Sequence, residues 1–154
     1  MPLRFLLSAL AILLTGMLAA PDRAEASCRA PDLVSGTYEN VDPATRSITA
    51  AQLQFVCGTR YEDRGDGIGV AISGGDVHWT VRLWGSCSPT DCDWGTVRGE
   101  DDSTGAIAAA YDQGFAHRNV TVIPVRAGLV RLVVTSYYTD GRPTRTWTET
   151  LRLR

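Results

Sequence analysis

Asp91, Asp93 and Glu149 are the carboxylates whose placement could serve acid–base chemistry. Cleaving a glycosidic bond takes two carboxyl groups, one held protonated and one ionised. Glu149 shares a face of an alternating segment with Trp147, Leu151 and Leu153, where desolvation would raise its pKa. The simpler reading is a carboxylate near a strand end, paired with an arginine. Asp91 and Asp93, followed within ten residues by Glu100, Asp101 and Asp102, also offer oxygen ligands of the kind calcium takes. The spacing is not that of an EF-hand. The plainer expectation is that Asp91 caps the Pro-Thr-Asp turn through nearby amides and that the Glu-Asp-Asp run is a solvated loop. No cofactor is expected, with calcium the one ion these acids could hold. His78 and His117 are expected on exposed faces, and no serine or cysteine stands in an elbow or triad context.

The acids at 91 and 93 belong to a denser segment, Trp84-Gly-Ser-Cys-Ser-Pro-Thr-Asp-Cys-Asp-Trp-Gly95. Two cysteines, a proline and two Trp-Gly pairs are too many special residues for an ordinary surface turn. Exposed aromatic rings beside acids are what sugar and protein partners use, so Trp84, Asp91, Asp93 and Trp94 form the candidate ligand-binding set. An alternative packs Trp84 and Trp94 on each other and on a disulfide as a satellite core. Both readings stay open on the sequence.

The first 26 residues read as an export signal. Arg4 supplies the positive end, Phe5 to Leu14 is apolar apart from Ser8, and Ala24-Glu25-Ala26 offers small residues for cleavage after Ala26. The run is too short for a membrane span. Glu25 stands where a lipidated Cys28 would need an aliphatic residue, so a soluble chain, secreted or periplasmic, is expected. Removing 26 of 154 residues leaves 128, enough for one β domain at 27–154. Four cysteines in an exported chain point to disulfides over a thiolate metal site. The most local pairing joins Cys87 to Cys92 and leaves Cys28 with Cys57.

All 15 basic residues are arginine, and the net charge of −2 gives no reason to expect nucleic acid. Residues 118–154 carry seven arginines against Asp140 and Glu149, while residues 57–117 carry four against ten acids. A folded meander can interleave these segments and cancel the field. Arg64-Gly65-Asp66 spells an integrin tripeptide, for which chance is the better account.

The dominant hydrophobic period is two. Val77, Trp79, Val81 and Leu83 alternate with His78, Thr80, Arg82 and Trp84, and Val130, Leu132 and Val134 alternate with Arg131, Val133 and Thr135. Ile68, Val70 and Ile72 form a preceding strand, joined by a hairpin at Ser73-Gly74-Gly75-Asp76. Further strands are expected at Gly36 to Asn40, Thr49 to Tyr61, Gly105 to Tyr111, Asn119 to Val125, Leu129 to Tyr138 and Thr146 to Arg154. Short connections between neighbours make an all-β, antiparallel up-and-down meander of about eight strands. A small disulfide-stapled barrel is expected, with a β-sandwich as the alternative.

Ser35-Gly36-Thr37-Tyr38 is similar to the Gly-x-Trp opening of lipocalin and avidin barrels, with Tyr38 in place of tryptophan. The later ligand-contacting tryptophans of avidin have no match by spacing, so biotin binding is not carried over. A longer likeness takes in Gly36-x-Tyr38-x-Asn40-x-Asp42-x3-Arg46-x-Ile48, the Trp84 to Gly95 segment and a closing Tyr-Thr-Asp-Gly-Arg hairpin. It resembles a group of secreted or surface bacterial β-proteins, uncharacterised as to activity. That resemblance implies an exported β-fold and no particular reaction. The residues favour a binding module for a carbohydrate or extracellular protein, its rigid loop presented to the ligand. An exported hydrolase inhibitor is the alternative, and a carboxylate-based hydrolase ranks third.

Overall fold

The computed structural model describes residue 28, residues 32–63, residue 65 and residues 69–154. The expected leader at 1–26, Ile68, Arg64 and Asp66 lie outside the described residues. Eight strands follow in chain order: β1 Gly36–Asn40, β2 Ile48–Asp63, β3 Gly69–Gly85, β4 Cys92–Asp101, β5 Ile107–Asp112, β6 Ala116–Arg126, β7 Leu129–Tyr138 and β8 Arg145–Leu153. Each pairs antiparallel with its sequence neighbours, and β1 returns to β8 through Tyr38↔Leu153, closing the barrel. Closure leaves no open sheet edge around the barrel. Among the described residues, no helix is long and apolar enough to cross a membrane.

Alternation of side chains across each strand fills the interior. Ile107, Ala109 and Tyr111 of β5 point inward, as do Val130, Leu132 and Val134 of β7. They meet Tyr38, Leu53, Trp79, Val81 and Leu151 in one core. The rings of Phe55 and Trp79 lie toward the end that holds the β6–β7 turn. There Phe55 packs on Trp79 with centroids 5.5 Å apart, and the Tyr38 hydroxyl donates to the Val34 carbonyl at 2.7 Å. Leu33, just before β1, is buried in the same core.

Both expected disulfides form. Cys87–Cys92 closes the β3–β4 loop, and Cys28–Cys57 ties the segment before β1 to β2. The expected hairpin at Ser73 to Asp76 is not a turn. β3 runs unbroken from Gly69 to Gly85, and Gly58↔Asp76 is followed by Thr59↔Ser73, so Gly74 and Gly75 are extra residues of a bulge. β2 is long enough to pair with both halves of β3, and glycines accept the irregular backbone of a bulge as readily as that of a turn. Past Gly36↔Leu53 and Trp79↔Gly99, where pairing to β1 and β4 stops, β2 and β3 continue as a two-stranded ribbon beyond the barrel.

One strand lies where a loop was expected. β4 runs through Glu100 and Asp101, which pair with Ala108 and Ile107. The Glu-Asp-Asp run is therefore a strand end followed by a turn. Asp102 holds that turn, accepting hydrogen bonds from the amides of Thr104 and Ala106 at 2.8 and 3.1 Å. Two predicted strands merge into β3 while β4 is added, so the expected number of eight results from offsetting differences.

Candidate functional site

The candidate site lies at the end of the barrel opposite the β6–β7 turn. Antiparallel order brings the β1–β2, β3–β4, β5–β6 and β7–β8 loops together there. Two adjoining cavities occupy this mouth, about 820 Å³ and about 520 Å³, and both are walled by Arg46, Ser47 and Trp147. Such volumes fall in the range of small-molecule sites, about 300–1,000 Å³. The larger cavity reaches Glu149 and Tyr138; the smaller is bounded by the Cys87–Cys92 staple, Trp94, Phe115 and Arg118.

Strand geometry explains how these groups reach the mouth. On β4, Trp94 and Gly95 together oppose Leu83, between the pairs Trp84↔Asp93 and Arg82↔Thr96. Gly95 has φ of 84°, and its amide donates to Asp93 Oδ1 at 2.9 Å. This two-against-one bulge aims Trp94 inward. Its indole packs edge-on to Tyr111, with centroids 5.8 Å apart, and lies against Gly85, where a β-carbon would meet Nε1 at 2.8 Å. Only glycine leaves that space.

Arg118 follows the inward period of β6, with Ala116, Val120 and Val122. In register it sits between Tyr111 of β5 and Ser136 of β7. Its guanidinium lies 4.1 Å from the Trp94 ring centroid and 5.5 Å from that of Phe115. Burial holds Arg118 below the usual arginine range; the charge of Arg142 pushes the same way and Tyr138 opposes it. Among the described residues no carboxylate pairs with it.

Across the mouth, Glu149 Oε2 accepts from Asn40 Nδ2 at 2.8 Å and lies 3.5 Å from Thr45 Oγ1. Asn40 and Thr45 hold it where an arginine was expected. Glu149 does face inward, as its alternation with Leu151 implies.

Four of the five buried side-chain polar atoms that lack a protein partner, among the described residues, belong to this end: Ser47 Oγ, Arg118 Nε, Ser136 Oγ and Trp147 Nε1. The fifth, His78 Nδ1, sits 3.2 Å from Asp76 Oδ1 on the outer face. Buried polar atoms in native proteins are overwhelmingly hydrogen-bonded. Ser47, Arg118 and Trp147 wall the smaller cavity, and the fully buried Ser136, which pairs in register with Arg118, walls neither.

The sequence-derived set is divided by the barrel wall. Trp94 reaches the mouth. Trp84 lies on the outer face with Arg82, whose guanidinium is 4.9 Å from its ring centroid, so the two indoles are not stacked together. Asp93, also outside, forms an ion pair with Arg82; that bond, then the Gly95 amide, holds its carboxyl below the usual range. Asp91 caps no turn of its own and instead accepts from Thr49 Oγ1 at 2.6 Å. The turn-capping role falls to Asp93 and Asp102. Neither Asp91 nor Asp93 is brought onto the inner face beside Glu149, so the acid pair for glycoside cleavage is not assembled. Among the described residues no group of three or more His, Cys, Asp or Glu is placed to hold a metal. His117 is exposed as expected, whereas the His78 side chain is only 13% exposed beside Asp76.

Arg118, Trp147, Ser47 and Ser136 were not among the sequence candidates. Arg118 lies one residue before the strand start expected at Asn119, which hid its place in the inward period. Comparison with protein-family models, with curated proteins and with solved structures finds no match.

Proposed function

We propose that this chain is an exported, non-catalytic binding protein whose ligand, a small organic molecule or a single sugar unit, seats in the mouth of the barrel. The observation that carries this reading is the set of three buried, unpartnered polar atoms on residues that wall one cavity, Ser47 Oγ, Arg118 Nε and Trp147 Nε1. Leaving a polar atom buried without a partner costs about 1–3 kcal/mol. A ligand that completes these bonds recovers that cost, and the indoles of Trp94 and Trp147 supply flat apolar surface beside them. Export fits the two disulfides and the sequence of residues 1–26.

The staple then has a part in the site. Cys87 and Cys92 wall the smaller cavity, so fixing the loop fixes one side of the mouth before binding, which lowers the ordering cost. The outer side of the same loop keeps a second reading alive, in which a protein partner such as a hydrolase is engaged. Every residue from Ser86 to Asp93 is exposed, and the loop is held by the disulfide and by Thr49 to Asp91.

Calorimetric screening of a small-molecule library against the wild type, Trp147→Phe and Trp84→Phe separates the readings. Hits that weaken at least about 10-fold in Trp147→Phe and are unchanged in Trp84→Phe are expected. Binding lost only in Trp84→Phe would move the site to the outer face.

A further inference from the structure

We propose that the mouth recognises an organic carboxylate carried on a flat apolar body, with Arg118 as the group that receives the anion; this rests on the mouth being the binding site. Arg118 is a half-buried cation with aromatic neighbours and, among the described residues, no counter-ion. Trp94 covers one face of its guanidinium at 4.1 Å from the ring centroid. Stacking of that kind leaves the in-plane N–H groups free, and Nε is among the unpartnered buried atoms. An Nε–H and a neighbouring terminal N–H form the fork that takes both oxygens of one carboxylate.

The surroundings agree in sign. The walls of the smaller cavity include two arginines, Arg46 and Arg118, and no carboxylate. Glu149 belongs to the larger cavity, where Asn40 and Thr45 already occupy it. An anion is therefore directed to the staple side. The body of the ligand would lie between the Trp147 and Phe115 rings, both of which wall that cavity. A bare anion would forgo this contact, so the acid group alone should bind weakly.

The test uses three probes on the disulfide-bonded protein by isothermal titration calorimetry: 2-naphthoate, its neutral isostere 2-naphthamide, and acetate. Naphthoate is expected to bind at least about 10-fold tighter than naphthamide, because a charge-assisted fork is worth that much. Acetate should be weaker still. In Arg118→Gln the preference for naphthoate should shrink to within about 2-fold, while in Arg46→Gln it should persist. Equal affinity of the wild type for naphthoate and naphthamide overturns the carboxylate assignment and leaves the mouth as the binding site. A preference that survives Arg118→Gln but vanishes in Arg46→Gln overturns the role of Arg118. Absence of binding by both naphthyl probes at millimolar concentration overturns the proposal, while the reading beneath it stands or falls with the library screen. Should Arg118→Gln fail to fold, the wild-type comparison of the two isosteres still decides, and Arg118→Lys, which keeps charge but loses the fork, takes its place.

Discussion

Arg118 and Trp94 stack at 4.1 Å although they lie on β6 and β4, with β5 between them. The contact spans the width of a strand across the inner face and depends on the bulge that turns Trp94 inward. Trp84, ten residues earlier, has its cation contact outside, with Arg82. The two tryptophans should therefore respond differently to truncation. Trp94→Ala is expected to cost about 3 kcal/mol, the usual loss for a large packed ring, and Trp84→Ala about 1 kcal/mol. Urea midpoints of the two variants check this; a larger loss at Trp84 would place the packed indole on the wrong side of the wall.

Gly85 is the backbone position on which Trp94 rests. A methyl group there would meet indole Nε1 at 2.8 Å, closer than packed atoms tolerate. Gly85→Ala should destabilise by about 1–3 kcal/mol and swing the Trp94 ring, changing its fluorescence emission. Unchanged emission and an unchanged midpoint would mean that the ring has room to give.

Ser47 offers a test with opposite signs for stability and binding. Its Oγ is buried with no protein partner, and the residue walls both cavities. Ser47→Ala removes a desolvated hydroxyl, so the free protein should gain about 1 kcal/mol while affinity for a ligand seated in the mouth falls. Such a trade is characteristic of a residue kept for function. If the alanine variant is less stable than the wild type, the hydroxyl has a structural partner and is not awaiting a ligand.

Acid stability should report the outer ion pairs. Asp93 is held below the usual carboxylate range, chiefly by Arg82 and then by the Gly95 amide. A depressed folded pKa stabilises above the unfolded value and loses that contribution as pH falls through the folded one. Arg82→Gln should therefore flatten the fall in stability below about pH 4, and added salt should narrow the difference between variant and wild type. Urea midpoints across that range decide; an acid limb as steep as that of the wild type would mean that Arg82 does not set the Asp93 titration.

The sequence made the barrel legible because five strands carry a clean two-residue period, as in Val130, Leu132 and Val134, and short turns allow only neighbour pairing. The disulfides followed from compartment and spacing. β4 was hidden because the bulge at Trp94 and Gly95 shifts its period and because Glu100, Asp101 and Asp102 read as a solvated loop. The glycines of the β3 bulge carried the same local signal as a hairpin, and only the length of β2 separates the two. The site was the least legible part. Trp147 was readable as inward-facing, but Ser47, Trp94 and Arg118 come from other strands and loops, and their convergence depends on barrel closure, which no local pattern encodes. A polar side chain on an inward position, as at Arg118 and Ser136, was the available signal; at Arg118 it was masked by a strand start placed one residue late.

The four indole N–H resonances give the most direct test of the mouth as the binding site. Trp79 reports the core, Trp84 the outer face, and Trp94 and Trp147 the mouth. Titrating ¹⁵N-labelled, disulfide-bonded protein with 2-naphthoate should shift Trp94 and Trp147 and leave Trp84 and Trp79 in place. Movement of Trp84 with Trp94 and Trp147 unmoved would put the ligand on the outer face of the stapled loop and contradict the site assigned to the mouth.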